Sequence, residues 1–88
     1  MITKESILKE LQKIPGIGKS ISLDLYNLGI RSIKDLQEKD PEKMYEELCA
    51  QARQHLDRCL LYTFRCAVYF ASEKKHDPDL LKWWNWKD

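Results

Sequence analysis

The ten residues Leu11-Gln12-Lys13-Ile14-Pro15-Gly16-Ile17-Gly18-Lys19-Ser20 constrain this chain more than any other stretch. A proline pushes the residue before it out of the helical region, so a helix rising from Thr3 should stop near Lys13. The two glycines permit backbone angles closed to other residues and let another backbone come close. Lys19 then opens a second helical pattern that runs to about Leu28, with Ile21, Leu25 and Leu28 inward. The segment fits the helix-hairpin-helix pattern of an apolar residue, Pro-Gly, an apolar residue, Gly, and then Lys or Pro.

Further helix signals fill the rest of the chain. Thr3 is the expected N-cap of the first helix, which carries Ile7, Leu8 and Leu11 on one face. Gly29 stands where a left-handed C-terminal cap is wanted. Ser32-Ile33-Lys34-Asp35 reads as a capping box opening a short third helix. Asp40-Pro41-Glu42 combines an N-cap, a proline at the first helical position and an acid in the first turn. The helix it starts carries Met44, Tyr45 and Leu48, and Asp77-Pro78-Asp79 repeats the device ahead of Leu80, Leu81, Trp83 and Trp84. Between them Leu56 to Ala71 is apolar on nearly every side, the mark of a central helix. No strand alternation, linker or domain boundary is visible. The expected fold is an all-α compact bundle of about five to six helices, one domain over residues 1–88, containing one helix-hairpin-helix motif.

Composition narrows the function classes. With 43% hydrophobic and 33% charged residues the chain is globular rather than disordered. At 88 residues there is little chain to spare for a catalytic pocket. The opening residues are polar and carry both charge signs, unlike a secretory signal, and no apolar run reaches the roughly 20 residues of a membrane span. The three cysteines, an odd set without an export signal, point to reduced thiols and a cytoplasmic location. Net charge is only +1, with balances of +2 in residues 1–35, −3 in 36–57 and +2 in 58–88. Any anion-binding face is therefore local.

The hairpin is where local chemistry points to an anion. The amides of Gly16, Gly18 and Lys19 are expected to stand unpaired at the positive end of the second helix. Such a terminus holds phosphate, with Lys19 and Ser20 adding side-chain donors, and Lys13 and Arg31 as candidate helpers. These contacts position a protein on DNA without reading bases. A hairpin of this kind also serves as a packing element with no ligand, and one motif reaches only one or two phosphates.

Arg58, Tyr62, Arg65 and Tyr69 fall on one stripe of the central helix. Arg58 and Arg65 are a candidate second anion surface, set against pairing with acids such as Glu46, Glu47 or Asp57. The apolar setting favours pairing. Cys59 and Cys66 stand two turns apart, roughly 10–11 Å, too far to clamp one metal ion or to form a disulfide. Neither a metal nor a cofactor is expected. Among the C-terminal tryptophans, Trp83 and Trp84 are expected on the core, and Trp86 part-exposed as a candidate anchor for a protein partner. No nucleophile–base pair, P-loop or paired-His motif supports catalysis.

Taken together, Ile14 to Lys19, Leu28-Gly29-Ile30-Arg31-Ser32, Asp40-Pro41-Glu42, Asp57-Arg58-Cys59, Phe64 to Tyr69 and the ending Asp77-Pro78 with Leu81 to Lys87 resemble the pathogenicity-locus family of small bacterial proteins. Some of its members are labelled mitomycin-resistance proteins. The middle of the chain is also similar to the C-terminal domain of competence-regulator proteins. The resemblance implies a bacterial cytosolic protein with a helix-hairpin-helix fold, and no established activity. The function expected is a non-enzymatic, sequence-independent contact with the DNA backbone. The alternative is a protein-interaction or homodimerisation domain using the aromatic C-terminus.

Overall fold

In the computed structural model, which describes residues 3–87, the first helix begins on a reciprocal cap. The Thr3 hydroxyl accepts from the Ser6 amide at 3.2 Å, and the Ser6 hydroxyl accepts from the Thr3 amide at 3.0 Å. Helix α1 (Lys4–Leu11) buries Ile7 and Leu11. Residues 12–18 turn the chain, and α2 (Lys19–Asn27) packs back on α1. At the far end of α2, Gly29 takes φ +92°. The Ile30 amide reaches back to Leu25 O and the Gly29 amide to Tyr26 O, both at 3.0 Å. These two bonds satisfy carbonyls that the helix leaves open, as a left-handed glycine cap should.

The Ser32 start signal gives a single 3₁₀ turn, Ile33–Leu36, rather than a third α-helix, and Ser32 makes no side-chain cap. Its expected role is taken by two carboxylates. Glu10 of α1 accepts from the Ile33 amide at 3.3 Å, and Asp35 accepts from the Arg31 amide at 3.0 Å. Helix α3 (Pro41–Ala52) starts as expected. Asp40 Oδ1 accepts from the Glu42 and Lys43 amides, and Met44, Tyr45 and Leu48 are buried.

Helix α4 (Cys59–Ser72) begins three residues later than its apolar pattern suggests. The Asp57 carboxylate accepts from the Cys59 amide at 2.8 Å and fixes the start. Alpha-helix α4 lies against α3, the Ile33–Leu36 turn and the C-terminal segment, which makes it the central element. Phe64 is fully buried on it, inside one core that also takes Leu11, Ile14, Leu25 and Leu36. The radius of gyration, 12.2 Å, matches the roughly 12 Å of a compact chain of this length.

The C-terminal helix expected after Asp77 is two 3₁₀ turns instead, Pro78–Leu81 and Trp83–Trp86. Side chains take the carbonyls that an α-helix would use. The Trp86 indole N–H and the Cys66 thiol both donate to Leu80 O, at 2.7 and 3.5 Å, and the Asn85 amide group donates to Asp79 O at 2.7 Å. Local side-chain bonds of this kind compete directly with helix formation. The described residues therefore form four α-helices and three 3₁₀ turns, with no strand.

Candidate functional site

The turn between α1 and α2 is built from the inside out. Ile14 and Ile17 are 1% and 5% exposed, so both apolar residues flanking Pro15-Gly16 point into the core. The Ile17 amide bonds to Ile14 O at 3.1 Å and closes the turn. Gly16 holds φ +84°, a left-handed value that other residues adopt at a cost of about 1–2 kcal/mol. Ser22 is fully buried one turn into α2. Its hydroxyl donates to Lys19 O at 2.7 Å and accepts from Gln12 Nε2 at 3.5 Å, which pins the first turn of α2 to the end of α1.

What this frame presents outward is a set of main-chain donors. Among the described residues, no protein group accepts from the amides of Gly16, Gly18, Lys19 or Ser20. Gly18 caps α2 in an extended conformation without a side chain, and the first turn of α2 contains no acid. A Cβ placed on Gly18 would meet nothing within 4 Å. Gly16, Gly18, Lys19, Ser20 and Lys13 are all exposed, and neither lysine enters an ion pair among the described residues. By contrast, α1 and α3 carry both a side-chain cap and an acid in the first turn.

Arg31 stands at the other end of α2, about 13 Å along the axis. Its guanidinium donates to Tyr26 O at 2.6 Å and covers the Tyr26 ring at 3.7 Å, so it closes the C-terminus of α2 and does not join the hairpin. The two α4 arginines lie elsewhere again. They line a groove of about 400 Å³ with Glu42, Tyr45, Glu46, His55 and Leu61. Arg65 is largely buried, donating to Trp86 O at 2.7 Å and to Glu42 at 3.2 Å. Among the described residues its acid is Glu42, not Glu46, Glu47 or Asp57. Arg58 is exposed, 5.9 Å from the Tyr62 ring, and neither arginine is without a partner.

Of the tryptophans expected on the core, Trp83 is half-buried and Trp84 is not. Trp84 is the open one, 49% exposed. Trp86 is half-buried, tied by its indole N–H to Leu80 O and packed 5.5 Å from the Tyr69 ring. Trp83 reaches the hairpin itself: a Cβ on Gly16 would stand 3.3 Å from Trp83 Cδ1. This approach comes from one side and leaves Gly16 exposed. Sequence reasoning missed both Ser22 and Trp83. Ser22 sits beside the apolar positions of α2 and reads as an ordinary polar interruption. The Trp83 contact is long-range and has no local signature.

The cysteines form no shared site. All three are free thiols, and burial pushes Cys66 up to about 11. A hydrogen bond to Asp57 holds the exposed Cys59 thiol above its ordinary range, while the Cys59 amide and thiol together lower Asp57. A raised thiol is a poorer source of thiolate. Among the described residues, no three His, Cys, Asp or Glu side chains gather as metal ligands would, and no helix is long and apolar enough to cross a membrane.

Comparison with known proteins places the sequence. Mitomycin resistance protein McrB of Streptomyces lavendulae is 32% identical over 77 residues, spanning 88% of this chain and 70% of that protein. No solved structure matches. A family model described as pathogenicity locus (Cdd1) matches residues 4–88. Over nearly its whole length, the chain belongs to the pathogenicity-locus family.

Proposed function

We propose that α1, the 12–18 turn and α2 act as a helix-hairpin-helix motif that grips the phosphate backbone of DNA without reading its sequence. One observation carries this reading: the amides of Gly16, Gly18, Lys19 and Ser20 have no acceptor among the described residues, at a helix terminus left without an acid. Oriented N–H groups and the helix dipole favour negative charge there. Lys19 supplies a charged donor to the same oxygen, and Lys13 adds positive potential from the turn. The motif binds and positions, and makes or breaks no bond. Arg65 is spent on Glu42 and Trp86, so the hairpin works with one or two phosphates only.

Binding of labelled duplex and branched DNA, followed by anisotropy across a salt series, tests this. The logarithmic salt slope is expected at about −0.9 to −1.8, for one or two phosphates. Lys19→Glu should weaken every DNA equally and reduce the slope by about 1. Unchanged binding by that variant removes the reading.

A second reading, a protein-interaction or dimer surface, draws support from Trp84, which with Leu23 makes the exposed large apolar side chains of the described residues. Concentration-dependent association that Trp84→Ala abolishes and Lys19→Glu preserves would favour it.

A further inference from the structure

Away from the hairpin, α2, the end of α3 and the start of α4 border a cavity of about 320 Å³. That size is at the small end of ligand pockets, which pair apolar walls with a few polar groups. Leu48, Leu56 and Leu60 supply the walls, and Asp24, Asn27 and Gln51 the polar groups. Asp24 is the one ionisable side chain among the described residues that line it. Its carboxylate is half-buried and, among the described residues, accepts no hydrogen bond and joins no ion pair. Burial pushes it above its ordinary value, and no donor or cation offsets the lost water. A carboxylate held in this way costs free energy until a cation meets it. The rest of the cavity has the same electrical sense. Gln51 Nε2 donates to Asn27 O at 3.4 Å, so its Oε1 is left to accept. Gln51 and Ala52 belong to the last turn of α3, which carries no basic residue, and a helix C-terminus favours positive charge. The neighbouring Arg53 and Asp57 are exposed and do not line the cavity.

We infer that this cavity is a binding site for a small organic cation: a primary ammonium on a short apolar stem. The N–H donors of the ammonium face the Asp24 carboxylate and the amide oxygens, and the stem lies against the leucines. Each half of such a ligand answers one half of the site. A neutral alcohol leaves the carboxylate unmet, and a bare metal ion leaves the leucine walls uncovered. The site does not depend on the phosphate reading, since Asp24 lies more than one turn along α2 from Lys19.

Amide-detected NMR titration of the full chain with n-butylammonium chloride tests the site, with n-butanol as the neutral probe of the same shape. The cation should shift the Asn27 and Gln51 side-chain amides saturably, in the millimolar range. It should bind about 5- to 10-fold more tightly than n-butanol, the margin of a charge-assisted contact. Asp24→Asn should remove that preference. The same variant should hold or raise the urea midpoint, because it discards a desolvated charge. Ala52→Leu narrows the cavity and should weaken both probes. Glu46→Gln removes an acid of α3 outside the cavity and should leave both within about twofold. Lys19→Glu should leave both unchanged too, which separates this site from the hairpin. Equal binding of the two probes, no saturable shift with the cation, or equal weakening in Glu46→Gln and Asp24→Asn overturns the proposal. A lowered urea midpoint in Asp24→Asn also overturns it, by revealing a partner for the carboxylate within the protein.

Discussion

Two glycines two residues apart do different work. Gly16 is needed for a positive φ and for the close approach of Trp83, whereas Gly18 has space around it and an ordinary extended backbone. Ser22 holds the frame beneath them. Among the described residues no buried side-chain nitrogen or oxygen lacks a hydrogen bond, and Ser22 meets that condition through Lys19 O and Gln12. Ser22→Ala should lower unfolding free energy by about 1 kcal/mol in urea titrations. Because that change also loosens the first turn of α2, it should weaken DNA binding while leaving the salt slope intact. A variant with unchanged affinity would show that the pin is not needed for the grip.

At the scale of elements, the contrast lies in how helices begin. Thr3 and Asp40 cap α1 and α3, and Asp57 fixes the start of α4, but α2 begins on a bare glycine. An N-cap carboxylate together with its favourable dipole contact would add about 0.5–1 kcal/mol to α2. Gly18→Asp should therefore raise the urea midpoint and abolish DNA binding; a stabilised variant that still binds would contradict the account. Apart from α4, which Asp57 starts later than its apolar pattern suggests, these starts were legible in the sequence because caps, prolines and the Gly29 terminator act within four residues of themselves. The Ser32 helix and the last helix were not. Their outcome depends on Glu10 reaching across to Ile33, and on indole, thiol and amide groups claiming Leu80 O and Asp79 O. The same limit explains the tryptophans. Spacing puts Trp83 and Trp84 inward, but Arg65 and Tyr69 draw Trp86 down and leave Trp84 out. For the site, the hairpin donors were legible from Gly-x-Gly-Lys, whereas the separation of Arg31 and Arg65 from them needed the fold.

For the whole molecule, a net charge of +1 and one hairpin predict a weak, salt-sensitive grip rather than a broad electrostatic footprint. In the proposed function, the outward main-chain nitrogens at residues 16–20 hold a phosphate oxygen. An amide-detected NMR titration with short duplex DNA tests it most directly. Gly16, Gly18, Lys19 and Ser20 should shift first and furthest, with the amides of α3 and the far end of α2 at Arg31 unmoved. Shifts centred on α4 or on Trp83–Trp86, with those four amides still, would overturn the proposed grip.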